Sequence, residues 1–270
     1  MLSRREAKQF HALRLRKARE AQGLFLAEGI RTVEDLLASR LRVRLAASSS
    51  SLEDTERGVR LLQAIAAKGV EVRDVTDAEL GALAGTDTPQ GIVVMAESPS
   101  ATLDDLHPPG IPVDSPRPSG SPASGEAPSA IVVLDAVQDP GNLGTLLRTA
   151  EALGAAGAVL LPGTVDAWNP KAVRAAMGAS FRLPVVEVGW DALEPWLRAR
   201  GFAVLAAAGE GALLGERPVR AALVLGNEGA GVGDETRRRA DRLVGIPLRG
   251  RAESLNVAAA GAILLHELLR

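Results

Sequence analysis

Short aliphatic runs alternate with amphipathic stretches along most of this chain. Leu24-Phe25-Leu26, Val43 to Ala47, Val70 to Val72 and Ile92 to Met95 read as strands from their aliphatic, often β-branched character. Helical patterns fall between them, near Thr32–Ser39, Leu52–Ala67 and Asp77–Ala84. Strands alternating with helices predict a small layered α/β domain over residues 1–96. The pattern lapses between Glu97 and Ala130, where half of the chain's 16 prolines fall among many Ser and Gly residues. Such a stretch buries too little apolar surface to offset its ordering entropy, so 97–130 reads as a flexible linker.

Periodicity returns at Ile131, and a second α/β domain is expected over 131–270. Ile131–Leu134, Ala158–Leu161, Pro184–Val188, Ala203–Ala207, Ala222–Leu225 and Leu243–Ile246 are continuous apolar runs, as parallel strands covered on both faces require. Helices are predicted at Leu143–Leu153, Lys171–Met177, Trp190–Arg200 and Asp234–Asp241. A last one runs from Ser254 to the C-terminus, with Ser254 placed to cap its first turn.

Composition narrows the chemistry. A length of 270 residues suits one large domain or two smaller ones, and 46% hydrophobic with 24% charged residues is ordinary for a globular protein. Cysteine is absent, which excludes disulfides, thiolate metal sites and base methylation through a covalent cysteine adduct. His11, His107 and His266 are scattered, which argues against a histidine metal site. No apolar run approaches the roughly 18 residues of a membrane span, and the N-terminus lacks the apolar core of a secretory signal. A cytoplasmic protein is the expectation. The net charge is −2, yet the first twenty residues set Arg4, Arg5, Lys8, Arg14, Arg16, Lys17 and Arg19 against Glu6 and Glu20. This basic stripe fits a nucleic-acid contact or a solvated helix face.

Candidate chemistry concentrates in three polar–glycine segments, each following a predicted strand. They are Asp139-Pro140-Gly141-Asn142-Leu143-Gly144 through Arg148-Thr149-Ala150, then Leu225-Gly226-Asn227-Glu228-Gly229, then Ile246-Pro247-Leu248 with Ser254-Leu255-Asn256. Strand ends of α/β sheets gather ligands because backbone N–H groups and helix N-termini converge there. Gly141 and Gly144 lack the Gly-Lys-Ser/Thr ending of a nucleoside-triphosphate loop. Gly229, Gly231 and Gly233 are spaced by two, unlike a dinucleotide fingerprint. Singly, each segment reads as a turn with a helix cap, and Arg148 as a surface ion pair. Their joint occurrence after strands points to one composite site.

The order of these segments resembles that of the SpoU (TrmH) family of RNA 2′-O-ribose methyltransferases, with Leu223-Val224 before the second segment and Val257-Ala258 after the third. Asn169-Pro170-Lys171, Arg174, Met177-Gly178-Ala179 and Leu183-Pro184 resemble the family's intervening segment. Phe25-Leu26-Ala27-Glu28-Gly29 and Thr88-Pro89-Gln90-Gly91 resemble its N-terminal substrate-binding domain, a small ribosomal-protein-like RNA-binding fold. The resemblance implies a trefoil-knotted, parallel-sheet methyltransferase domain, S-adenosylmethionine as cofactor, and a homodimer, although the Val257–Leu269 stripe fits an intramolecular core equally well. Gly226, Ile246 and Leu255, with Ser254 beside them, match cofactor-contacting positions, and Gly209 is expected in the same wall.

By the same resemblance Asn142, Arg148, Glu228 and Asn256 are the catalytic residues. Family accounts cast Arg148 as a general base. Neutralising a group of pKa about 12.5–13.8 at pH 7 costs roughly 8 kcal/mol, which favours a cationic clamp instead. The proton would then leave to water, to an RNA phosphate or to a carboxylate such as Glu228. Only RNA offers a 2′-hydroxyl. The expected substrate is 23S ribosomal RNA, met through the N-terminal domain and the basic N-terminus, with a tRNA substrate or a non-catalytic RNA-binding protein as alternatives. Trp168 and Phe181 are candidates for base stacking or for core packing.

Overall fold

A computed structural model describes residues 1–85, 89–106 and 128–270 of the chain. Thr88 of the Thr88–Gly91 motif and residues 107–127 of the expected linker lie outside the described residues. The chain packs as two compact units, one formed by Met1–Ser100 with Asp166–Arg182, the other by Ala101–Val165 with Leu183–Arg270.

The first unit begins with α1 (Arg4–Ala12), started by a reciprocal capping box between Ser3 and Glu6, and α2 (Arg16–Gln22), stopped by Gly23 at φ +61°. Then follow β1 (Leu24–Glu28), α3 (Ile30–Ala38), β2 (Val43–Ser48), α4 (Glu56–Ala67), β3 (Val72–Asp74), α5 (Asp77–Leu83) and β4 (Ile92–Glu97). The sheet order is β1-β4-β2-β3, with β4 antiparallel to both neighbours and β2 parallel to β3. Alternation along the strands makes two cores. Phe25, Ala27, Ala46 and Val94 face α3 and α4, while Leu24, Leu26, Leu45, Val93 and Met95 meet Phe10, Leu13, Leu80 and Leu83.

Asp166–Arg182 belongs to this first unit although its sequence falls among the strands of the second. It carries α7 (Pro170–Ala176) in the numbering completed below, and Val173 is fully buried in the α3/α4 core. The Trp168 and Phe181 rings lie 4.8 Å and 5.8 Å from that of Phe25, so the core-packing reading of both holds here. Arg19 is 4% exposed; it donates to Asp166 at 2.7 Å and to the Leu13 carbonyl at 2.8 Å. That removes Arg19 from the expected basic stripe: a buried guanidinium needs partners, and Asp166 and a carbonyl supply them.

The second unit contains β5 (Ser129–Asp135), α6 (Pro140–Ala152), β6 (Gly157–Leu160), β7 (Val185–Glu187), α8 (Trp190–Ala199), β8 (Ala203–Ala212), β9 (Arg220–Gly226), α9 (Asp234–Arg239), β10 (Arg242–Val244) and α10 (Val257–Leu269). All its strand pairs are parallel, in the order β10-β8-β9-β5-β6-β7. The α/β fold class and the parallel sheet expected from continuous apolar runs are therefore present. The proline-rich stretch is ordered at both margins. Leu106 is buried in the sheet core, Asp104 accepts from Trp196 and Arg200, and β5 starts at Ser129. Helix α10 starts at Val257, and its cap is Asn256 rather than Ser254, because the Asn256 side chain accepts from the N–H groups of Ala258 and Ala259.

Candidate active site

Strand order reverses direction between β5 and β9, and their last residues, Asp135 and Gly226, are register partners. This switch point leaves two loops side by side beyond the C-terminal ends of the strands. The loop after β9 folds back on itself, with paired backbone hydrogen bonds of 2.9 Å between Asn227 and Gly231. It can do so because residue 226 is glycine, since a Cβ there would lie 2.1 Å from the Gly231 carbonyl carbon. The Asn227 side chain closes the turn by accepting from Gly229 and Ala230, and donates across to the Ala136 carbonyl at 3.0 Å.

These turns aim Glu228 at the start of α6. Its carboxylate accepts from the backbone N–H of Gln138 at 3.1 Å, from that of Asp139 at 3.0 Å and from Asn142 Nδ2 at 3.0 Å. Asn142 sits in the first turn of α6, whose cap Asp139 accepts from its backbone N–H at 2.7 Å. Asn142 Oδ1 in turn accepts from Asn256 Nδ2 at 2.9 Å. The result is a directed chain from the first amides of α10 through Asn256 and Asn142 to Glu228. Every amide orientation in it is dictated by its neighbours. Burial pushes the Glu228 carboxyl up, but the hydrogen bonds from Asn142 and the loop backbone outweigh it, so its pKa lies below the usual carboxylate value.

Three of the four expected catalytic residues are thus joined. Arg148 lies six residues beyond Asn142 on α6, about 9 Å along the axis and some 240° around it, on an exposed face.

Against the trio opens a cleft of about 620 Å³ between the ends of β8, β9 and β10 and the start of α10. Gly209, Gly226, Ile246, Ser254 and Leu255 all line it, as does Glu228. Every expected cofactor position falls on one wall system.

Residues 129–266 match the SpoU rRNA Methylase family, and residues 5–94 match the MRM3-like substrate binding domain. Over 266 residues the chain is 33% identical to the 23S rRNA (guanosine(2553)-2′-O)-methyltransferase RlmP of Bacillus subtilis (strain 168), covering 97% of this chain and 95% of the relative. The chain belongs to the SpoU family.

The fold agrees with solved SpoU-type enzymes. An AdoMet-bound rRNA methyltransferase from Sinorhizobium meliloti superimposes with a TM-score of 0.80 at 30% identity, over 99% of this chain and 95% of that one. The SpoU methyltransferase AviRb from Streptomyces viridochromogenes, in complex with AdoMet, gives 0.82 at 26% identity, over 99% and 97%.

The cleft of this SpoU chain suits S-adenosylmethionine on its own chemistry. Its volume lies in the range of small-molecule sites, about 300–1,000 Å³. A Cβ added at Gly209 would meet nothing within 4 Å, so the strand end leaves room beside the backbone. Leu255 and Ile246 offer apolar surface next to main-chain donors and acceptors, the surroundings that a neutral purine takes.

Several site residues were missed by sequence reasoning. Asp135 accepts from Gly233 at 2.8 Å and from the Thr236 hydroxyl at 2.7 Å, tying α9 to the end of β5. Asn227, quoted within the second segment without a role, holds the Glu228 turn, and Glu210 pairs with Arg237 in the lining of the cleft. Asp135 directly follows the Ile131–Leu134 run, and that position was the available signal. Arg237 carried none, because nothing in its helix pattern separates it from Arg238 or Arg239.

Proposed function

We propose that this SpoU-family protein transfers a methyl group from S-adenosylmethionine to a ribose 2′-hydroxyl of 23S rRNA. The observation that carries the reading is the junction of the 620 Å³ cleft with the Asn142–Glu228–Asn256 trio at the switch point of the sheet. Its relatives' activity and the substrate-binding domain at residues 5–94 support the RNA side.

The cofactor, when bound, supplies an electrophilic methyl on a sulfonium. The backbone at Gly209, Gly226, Ile246, Ser254 and Leu255 would hold it, and the open space at Gly209 would admit it. Glu228 is a poor proton acceptor, since its lowered pKa reflects three donors already directed at the carboxylate. Its role is to anchor Asn142, which with Asn256 positions the ribose. Arg148, exposed on α6, is the clamp for the target phosphate and the developing alkoxide. The proton then passes to water or to an RNA phosphate.

A homodimer, a knotted path for the C-terminal chain and a cytoplasmic setting go with this reading. Leu248 and Ile263, 39% and 42% exposed, are apolar surface that a dimer would cover. Among the described residues, no helix is long and apolar enough to cross a membrane.

The test is incubation with labelled S-adenosylmethionine and, separately, 23S rRNA, intact large ribosomal subunits and tRNA, followed by mass-spectrometric mapping of 2′-O-methyl nucleotides. One methylated ribose in 23S rRNA is expected. Label confined to tRNA would redirect the reading, and no label in any RNA would overturn it. Arg148→Lys is expected to lose at least tenfold in kcat, because a point charge does not reproduce a bidentate fork.

A further inference from the structure

Charge is scarce in the cofactor cleft. Among the described residues Arg237 is the one cation that lines it; the acids are Glu210, Glu228 and Glu253. Glu228 is committed to Gln138, Asp139 and Asn142. Glu210 and Arg237 instead form a direct ion pair among the residues that line the cleft, and their side chains are 60% and 35% exposed. Arg237 also reaches the Val232 carbonyl through Nε at 3.3 Å. That contact fixes Nε and Glu210 meets Nη1, which leaves further donors of the five-donor fork at a residue that lines the cleft. Hydrogen bonding to Arg237 is the main cause that holds the Glu210 carboxyl below the usual carboxylate range.

An S-adenosylmethionine molecule has a neutral purine, a ribose and an amino-acid tail, and the tail is a zwitterion. Its α-carboxylate is the only anion it brings, and among the described residues lining this cleft Arg237 is the cation that can meet it. Its α-ammonium needs an acid with spare acceptor capacity; Glu228 is committed to three donors, and of Glu210 and Glu253 it is Glu210 that stands beside the cation that takes the carboxylate. We propose that the Glu210–Arg237 pair is the subsite for the amino-acid end of the cofactor. Arg237 takes the carboxylate and Glu210 the ammonium, so that two opposite charges on the protein meet two on the ligand in reversed order. The backbone-lined wall around Ile246 and Leu255 is left for the neutral adenosyl end. Placed between β8 and α9, the pair selects ligands with an intact amino-acid tail and sets which way round the cofactor enters.

This inference rests on the methyltransferase reading, and a binding experiment separates the two. S-adenosylhomocysteine carries the amino-acid tail, whereas methylthioadenosine keeps the purine, ribose and sulfur without it. Calorimetric titration of the full-length protein with each ligand is carried out for the unaltered protein, Arg237→Gln, Glu210→Gln and Arg237→Lys. The unaltered protein is expected to bind both, the homocysteine compound more tightly. Arg237→Gln and Glu210→Gln should weaken S-adenosylhomocysteine about ten- to hundredfold, the range for losing a charge-assisted hydrogen bond. Methylthioadenosine should change less than about twofold, which also certifies an intact fold. Arg237→Lys should fall between. Equal losses for both ligands, or no loss for either, would overturn the subsite. If the unaltered protein bound no adenosyl compound, the methyltransferase reading itself would fail.

Discussion

Glu28-Gly29 closes strand β1 of the first unit, and Glu228-Gly229 follows strand β9 of the second; the same dipeptide meets two different environments there. Glu28 is 4% exposed, and its carboxylate accepts from the Gly85 backbone N–H at 2.5 Å. Around it Gly29 takes φ +84°, with the Gln90 amide so close that a Cβ would lie 2.8 Å from its oxygen. Glu228 lies in an exposed turn, and a Cβ on Gly229 would find its nearest neighbour, Asn227 Oδ1, at 3.6 Å. In the first unit the packed surroundings turn the carboxylate into a structural tie. In the second, a sheet switch point leaves the same group beside open space and a second side chain, which makes it an anchor for chemistry.

The sharpest way to break that contrast is Glu228→Ala. Removing a preorganised polar anchor should cut kcat by about 10²–10³-fold, with little change in thermal midpoint because water can satisfy the freed loop amides. Retention of near-normal turnover would take Glu228 out of the site. Gly29→Ala comes next. Backbone strain at a glycine-only conformation costs about 1–3 kcal/mol, and the Gln90 contact adds to it. Gly229→Ala should stay within about 0.5 kcal/mol. Chemical denaturation of the two variants side by side checks this, and equal losses would erase the distinction.

Glu28→Ala should cost about 1–2 kcal/mol, since the Gly85 N–H loses its partner inside the protein, while S-adenosylhomocysteine affinity stays unchanged. The smallest effect is on acid stability. Glu6 is lowered from 4.5 to about 2, first by the backbone N–H of Ser3 and then by its hydroxyl and by Arg73. A carboxylate with a depressed folded pKa stabilises above its unfolded value and loses that contribution as pH falls through the folded one. Glu6→Gln should therefore flatten the acid limb of the stability profile between roughly pH 4.5 and 2. Glu228, also lowered, should leave activity flat through the neutral range. An activity drop in Glu228-intact protein with a midpoint near 6 would contradict its role as a permanently charged anchor.

Much of the second unit was legible along the chain. Buried parallel strands are continuous apolar runs, and the motif segments follow such runs; the family resemblance pointed to Gly209, Gly226, Ile246, Ser254 and Leu255, and all five line one cleft. The cap of α10 was misplaced by two residues because Ser254 and Asn256 have nearly equal capping power, and only the hydrogen bond from Asn256 to Asn142 selects between them. The Asp166–Arg182 segment was expected within the second domain but packs in the first unit, since local pattern says that a helix forms but not which core receives Val173.

Local periodicity and turn chemistry therefore determined the elements, the parallel class of the second sheet and the motif residues. Tertiary structure alone decided three things. It placed β5 beside β9, so that Asn142, Glu228 and Asn256 became one hydrogen-bonded chain. It buried Arg19 against Asp166 and thereby took a cation out of the basic stripe. It brought Glu210 to Arg237 in the lining of the cofactor cleft. The physical reason is common to all three: helix and strand formation depend on neighbours within a few residues, whereas burial and pairing depend on strand order, which no short-range pattern encodes.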